Sequence, residues 1–177
     1  MNLVLVKLSY IGQNNTNIGT KTSVMAENEY IELKNRLIAE CQRVQKKVVD
    51  SSKSAMDEAQ QALNDYGPNK DRYDSFRDQL IGRRDMFSLQ YSKAASEYSV
   101  IDKINPKHIN KIAEFGAVII TDACRFFISI SAGKIEIDGH TFYAISPMVP
   151  LFKVMEGKKK GESFEFNGKK QVIQELF

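Results

Sequence analysis

Three aspartates crowd a short turn-forming stretch, NDYGPNKDRYDSF, at residues 64–76. Asp65 precedes a Gly-Pro pair, while Asp71 and Asp74 follow it at a spacing of three. From Asp57 to Asp74 there are five acids and two bases. Aspartate at the start of a helix commonly caps free backbone N–H groups, and carboxylates are also ligands for hard cations. The residues alone leave both interpretations open for this acidic turn.

The turn separates two segments with helical periodicity. Apolar side chains recur at steps of three or four, which indicates a heptad-like seam, the stripe that faces a partner helix. Before the turn the seam comprises Leu33, Leu37, Cys41, Val44, Val48, Ala55, Ala59 and Ala62. After the turn it comprises Tyr73, Phe76, Leu80, Phe87, Tyr91, Ala94, Tyr98 and Ile101. Because Pro68 cannot continue a helix, we predict an antiparallel hairpin over 27–103. Its tip lies near 65–74, on an arm of roughly 50–60 Å.

Residues 1–26 lack this pattern. An apolar alternation at the start is followed by a polar stretch, and Met25 resembles a natural protein start. We expect 1–26 to be a poorly ordered extension, or translation to begin at Met25.

The period changes after residues 102–111, a polar stretch that we interpret as a linker. β-branched and aromatic runs of strand length follow, with turn signals at Asp138-Gly139 and Asn167-Gly168. Ser146-Pro147 opens a short helix. We therefore predict about five strands and one helix in a small domain at 112–177. The fold class is α+β, with a helical coiled-coil hairpin before a β-rich domain.

Composition narrows the function classes. The 177 residues are 42% hydrophobic and 27% charged, with a formal charge of +3, which is too mild to indicate nucleic-acid binding by itself. No apolar run approaches the length of about 20 residues that a membrane span needs. Cys41 and Cys124 are far apart, which is typical of buried thiols in a reducing cytoplasm. His108 and His140 are isolated, so a histidine-based metal site is not expected.

The C-terminal segment resembles a known family. Residues 145–166, ISPMVPLFKVMEGKKKGESFEF, are similar to the short helix and following strand of the Gre-type transcript cleavage and elongation factors (the GreA/GreB family). Residues 130–139 and 142–147 resemble a Gre-like subgroup of Bacteroidetes type. The likeness spans about 60 residues here, and the upstream hairpin matches in architecture.

The resemblance implies a fold and a mechanism. It implies that 112–177 is FKBP-like and docks on bacterial RNA polymerase, with Ser146, Pro147, Lys158 and Lys159 as docking residues. The coiled coil would enter the secondary channel. Asp71, Asp74 and Asp65 at the tip would then help hold a Mg²⁺ shared with the polymerase active centre, where backtracked RNA is cleaved. The factor would be a cytoplasmic monomer that touches nascent RNA only indirectly. It would bind no cofactor stably and would not be an enzyme itself.

Alternatives stay open. In the family, two acids separated by two residues directly follow the glycine of the tip. In this turn the acidic pair comes later, and Lys70 and Arg72 lie beside Asp71. A secondary-channel regulator that does not stimulate cleavage is therefore an alternative. A prolyl isomerase of FKBP type, using Phe126, Phe127, Phe142 and Tyr143, is another. The hairpin could also serve only as a dimerisation arm.

Overall fold

A computed structural model describes residues 21–71 and 73–177, with side chains from residue 27 onward. Two long helices come first, α1 (Lys21–Tyr66) and α2 (Ser75–Ile101). They are followed by β1 (Val118–Thr121), β2 (Arg125–Ile128), β3 (Gly133–Ile137), β4 (His140–Ile145), α3 (Pro150–Met155), β5 (Ser163–Phe166) and β6 (Lys169–Leu176). The predicted α+β class, a helical pair before a small sheet domain, is confirmed.

The helical pair, α1 with α2, forms an antiparallel arm, and two of its details differ from the sequence pattern. Helix α1 begins at Lys21, so the last six residues of the predicted extension are helical. Residues 1–20 lie outside the described part of the chain. Helix α2 begins at Ser75, which leaves Tyr73 in the turn with 86% of its surface exposed rather than in the seam.

The seam itself drifts relative to the predicted heptads. Val48 is 43% exposed and Ala62 is exposed, whereas Gln45 and Leu63 are buried in their place. A straight α-helix has 3.6 residues per turn, so a strict 3.5-residue spacing moves off the contact face over several turns. The seam of α1 follows the straight-helix period.

The base of the arm is packed into the sheet domain rather than joined to it by a linker. Leu37 and Cys41 of α1 and Ile101 of α2 share one buried cluster with Val118 and Phe127 of the sheet. At 1.5 Å per residue, α2 with its 27 residues sets a reach of about 40 Å. The arm therefore projects less than the 50–60 Å expected from the sequence, because the first part of α1 lies against the domain.

The predicted linker at 102–111 is part of this packing. Ile104 and Asn110 are buried. Lys34 of α1, also fully buried, donates from Nζ to the carbonyl of His108 and to Asn110 Oδ1, both at 2.8 Å. Asn110 in turn donates to Glu114 Oε1 at 2.7 Å. Polarity misled the sequence interpretation because these polar groups satisfy one another inside the fold.

Further contacts fix the direction of α1. The Arg36 guanidinium pairs with both oxygens of Asp138, in the turn between β3 and β4. The Tyr30 ring stacks on Phe177, with centroids 4.1 Å apart. Together with the hydrogen bonds of Lys34, these contacts hold the arm to the domain along successive turns of α1.

The six strands form one sheet in the order β3-β4-β2-β1-β6-β5. Neighbouring strands are antiparallel except β2 and β4, which are parallel. One face packs on the base of the arm, and the other packs on Phe152 and Met155 of α3. Asp138 and Asn167 have positive φ, as the two predicted hairpin turns require. The sixth strand exceeds the five expected.

The buried lysine predicts a pH dependence of stability. Burial lowers the pKa of Lys34 to about 8, and the Glu114 carboxylate opposes this effect. The unfolded chain keeps its lysine proton to about pH 10.4, so above pH 8 the unfolded state binds more protons and stability rises with pH. Burial also raises the pKa of Cys41 to about 11, which lowers stability once an unfolded thiol ionises near pH 8.5–9. We expect a net gain of about 1 kcal/mol between pH 7.5 and 9, followed by a plateau.

Urea unfolding across this pH range measures the gain. Lys34→Met should remove the rise, while Lys47→Met, a change at an exposed position of the same helix, should keep it. An unchanged rise in Lys34→Met would assign the effect to another group.

Candidate functional site at the tip of the arm

The tip, defined as residues 65–77, closes the arm with a glycine turn. Helix α1 ends at Tyr66, and Gly67 takes a φ of +85°, in the left-handed region that favours glycine. Its N–H donates to the carbonyl of Leu63 at 3.2 Å, which satisfies one of the last carbonyls of the helix. The predicted chain reversal at the Gly-Pro pair is therefore present, with Gly67 as the terminating residue.

Asp74 caps the second helix. Its Oδ1 accepts hydrogen bonds from the backbone N–H of Arg77 at 3.1 Å and from the Tyr66 hydroxyl at 2.8 Å. Its Oδ2 accepts the backbone N–H of Lys70 at 3.1 Å. Both carboxylate oxygens are thus engaged, and one bond joins the ends of the two helices. The cap of α2 is therefore Asp74 and not Asp71.

These contacts stabilise the charged form of the cap. Desolvation acts to raise the pKa of Asp74, but the hydrogen bonds from Lys70, Tyr66 and Arg77 outweigh it and lower the pKa below its ordinary value. The same hydrogen bond raises the pKa of the Tyr66 hydroxyl. Asp74 is therefore ionised at neutral pH, with its charge directed at the turn that it holds together.

Asp71 lies before the helix, in the turn. Its Oδ1 accepts the backbone N–H of Tyr73 at 2.7 Å, a local bond two residues along the chain. Among the described residues, its Oδ2 has no hydrogen-bond partner. Asp71 and Asp74 do not lie together on one face of α2, because α2 begins only at Ser75. Asp71 thus has an oxygen left for a ligand, as does Asp65, whose Oδ2 is also without a hydrogen-bond partner among the described residues.

Asp65 belongs to α1 and faces its own helix. Its Oδ1 accepts from Gln61 Nε2 at 2.7 Å, one helical turn earlier. Within the described ranges, no group of three or more His, Cys, Asp or Glu side chains is close enough to hold a metal ion. The three aspartates predicted as one ligand set are not brought together, so the tip does not by itself provide a complete metal site.

Aromatic and basic groups share the tip with the acids. The ring of Phe76, in the first turn of α2, packs against Tyr66 with centroids 5.2 Å apart and 56° between the planes. Lys70 Nζ lies 4.1 Å from the centroid of the Tyr66 ring. Arg77 donates from Nε to the carbonyl of Gly67 at 3.1 Å. Tyr66 is thus the centre of the tip.

A groove of about 230 Å³ lies in the seam between the two helices. It is lined by Ala55, Glu58, Ala59, Ala62, Leu80, Arg83 and Phe87. Large side chains do not fill this part of the seam.

The residues predicted to dock the partner bracket helix α3. Ser146 Oγ accepts the N–H of Met148 at 3.2 Å, and Met148 itself is 83% exposed. At the other end, Lys159 donates its N–H to Glu162 Oε2 at 2.7 Å, and the backbone of Lys158 accepts from Ala113. Helix α3 starts at Pro150, later than the Ser146-Pro147 start expected. Met148 is a docking candidate that the sequence pattern did not single out.

The aromatic set considered for a prolyl-isomerase pocket belongs to the core. Phe126, Phe127 and Phe142 are at most 4% exposed and lie in the two buried clusters. Only Tyr143 reaches the surface, with 41% exposed. These rings therefore line no shared pocket.

The chain is similar to a solved structure of a transcription factor. No protein-family model and no curated protein matches the sequence. A structure described as "Structure of the transcription factor Gfh1" is 13% identical, covers 78% of this chain and 93% of that chain, and has a TM-score of 0.30. Of the helices in the described residues, none has an apolar stretch suited to crossing a bilayer.

Proposed function

We propose that this chain is a transcription factor of bacterial RNA polymerase. Its sheet domain would dock at the rim of the secondary channel, and its arm would enter the channel so that the tip reaches the active centre. The protein would act as a cytoplasmic monomer, and the polymerase would supply the catalysis. The FKBP-like nature of the sheet domain and the Bacteroidetes-type subgroup belong to the same proposal.

One observation carries the proposal: an arm of about 40 Å, fixed at its base, that ends in charged and aromatic side chains. The buried cluster at the base and the Arg36–Asp138 pair restrain the arm against the domain. A spacer would not require a tip in which the Tyr66 hydroxyl and the Arg77 N–H both donate to Asp74. This arrangement suits delivery of a small set of side chains into a narrow channel. The secondary channel is proposed because the sequence resembles Gre-type factors.

The tip fits a magnesium ion that is shared with the polymerase, but not one that is bound by this protein alone. Mg²⁺ is often bound through one or two protein carboxylates, with waters and substrate phosphates completing its coordination. Asp71 is the residue that would hold it, through the oxygen that has no described partner. A second Mg²⁺ at a polymerase active centre would stabilise the oxygens of a phosphoryl displacement. Asp74 would act indirectly by keeping the turn closed, and Asp65 lies outside this role.

The arrangement favours modulation of the active centre, with weak cleavage or none. A single carboxylate with one oxygen available recruits a cation less strongly than a converging pair, because each added ligand oxygen contributes to binding. The tip would still occupy the channel and impede RNA backtracking or nucleotide entry. Cleavage of backtracked RNA would depend on the Asp71 carboxylate, whereas occlusion of the channel would not.

The test uses backtracked elongation complexes assembled with the polymerase of the source organism. Equilibrium binding of the labelled full chain is measured first, then RNA 3′-end cleavage and nucleotide addition over a range of Mg²⁺ concentrations. We expect binding, and we expect Asp71→Ala to reduce any Mg²⁺-dependent stimulation of cleavage about tenfold or more while binding and occlusion remain. Absence of binding to the polymerase would refute the proposal.

Asp74→Ala is the matched variant for the same measurements. Loss of the cap and of the bond to Tyr66 should lower the melting temperature and weaken every activity of the tip. Asp71→Ala should leave the melting temperature unchanged, since its recorded bond is local. Equal thermal effects of the two substitutions would contradict the roles assigned here. Light scattering of the free protein tests the monomer, and a stable dimer through the arm would favour the dimerisation alternative.

A further inference from the structure

Two aromatic rings stand out from the tip into solvent. Tyr73 is 86% exposed and Phe76 is 54% exposed. Among the large apolar side chains in the described ranges, Tyr73 exposes the greatest fraction. Two rings three residues apart, at the far end of an arm, make a surface far smaller than a stable protein–protein interface needs. Their placement suits a small, flat partner.

The backbone that carries these rings is held in place. Tyr73 donates its N–H to Asp71 Oδ1, and its carbonyl accepts from Ser75, both at 2.7 Å. One side of the Phe76 ring packs on Tyr66, whose hydroxyl is anchored to Asp74. The rings are therefore presented from an ordered turn, and a partner that binds them meets a low cost in backbone ordering.

We infer that Tyr73 and Phe76 form a stacking platform for an unpaired nucleobase at the 3′ end of RNA. This inference rests on the proposed function, because it requires that the arm bring the tip to the active centre. Aromatic side chains stack on any base, since every base has a π face, and one such contact contributes a factor of about ten in affinity. The contact would position the displaced RNA end beside the Asp71 carboxylate.

The charges at the tip favour the base rather than the phosphate backbone as the partner. Asp65, Asp71 and Asp74 are interspersed with Lys70, Arg72 and Arg77 along the sequence, so the basic residues do not form the continuous run that tracks a nucleic-acid backbone. Arg77 is also engaged with the Gly67 carbonyl. Free single-stranded RNA should therefore bind weakly, and stacking should matter where the arm holds the tip at the RNA end.

A fluorescent base at the RNA end tests the platform. Elongation complexes are assembled with an unpaired 2-aminopurine at the RNA 3′ terminus and titrated with the full chain. We expect quenching by the wild type and by Tyr73→Phe, which keeps the ring. Tyr73→Leu and Tyr73→Ala should raise the half-quenching concentration about tenfold, and Phe76→Leu should act in the same direction. The matched control is Leu89→Ala, a change at a 73% exposed apolar residue of the same arm, which should quench like the wild type.

The outcomes separate this inference from the proposed function. Binding to the polymerase without quenching by the wild type would overturn the platform and leave the proposed function standing. Quenching retained by Tyr73→Leu would show an apolar contact rather than stacking, and would also overturn it. If Tyr73→Leu loses as much affinity for polymerase without nucleic acid as for the elongation complex, that result would assign the rings to a protein surface and overturn the platform. A wild type that does not bind the polymerase would overturn both.

Discussion

Leu37→Ala is expected to lower the free energy of unfolding by about 3 kcal/mol, within the range of 2–5 kcal/mol for buried leucine truncations. Leu37 is fully buried where α1 meets the sheet, in one cluster with Phe127, Ile135 and Phe142. Truncation removes the burial of several methyl and methylene groups and leaves a cavity that the sheet cannot fill by collapsing. Urea unfolding followed by far-UV circular dichroism measures the loss.

Leu89→Ala provides the same chemical change at a site without packing. Leu89 is 73% exposed on α2, so its truncation should change the free energy of unfolding by no more than about 0.5 kcal/mol. The contrast tests whether the arm and the sheet share one core. If both substitutions cost the same, the base of the arm is not packed as described, and the rigidity on which the proposed function depends is lost.

Shortening the arm should abolish its effect on the polymerase active centre while preserving binding. Deletion of 47–53 from α1 and 87–93 from α2 removes one heptad from each helix and about 10 Å of reach. The two segments lie opposite each other in the antiparallel pair. Gln45, just before the first segment, donates to the carbonyl of Ala94, just after the second. One heptad rotates a straight helix by only about 20°, so the contact faces stay aligned. The sheet domain and its docking residues remain intact.

Elongation assays measure the result. We expect the shortened protein to bind polymerase within about twofold of the wild type, and its effect on RNA cleavage or nucleotide addition to fall at least tenfold, since the contacts that position reacting groups are lost. A restored-length variant, with alanine-rich heptads in place of the deleted ones, should regain the effect. An active short arm would mean that the protein acts from the channel rim, without reaching the active centre.

The local sequence determined the elements and their order. Heptad-like spacing predicted the two helices, Gly67 with Pro68 predicted the reversal, and Asp138-Gly139 and Asn167-Gly168 predicted two hairpin turns that have the required positive φ. These features depend on side chains a few residues apart, and on the backbone conformations that glycine and proline permit or exclude. They are therefore readable without knowledge of the fold.

The tertiary structure decided which side chains of these elements are buried and which are exposed. The sequence could not show that Lys34 is buried, because its hydrogen-bond acceptors at 108 and 110 lie more than 70 residues away along the chain. It could not show that Val48 is exposed while Gln45 is buried, since a small drift in helix period selects a different face.

At the tip the same division holds. The sequence determined that aspartates would gather at the turn. Only the structure distinguished Asp74, which is committed to Tyr66 and the helix cap, from Asp71, which has an oxygen to spare. Hydrogen bonds between the ends of two helices made that distinction, and their partners depend on how the helices pair rather than on spacing. The arm thus follows from local periodicity. Which of its residues are available to a partner follows from the packing of its two helices against each other.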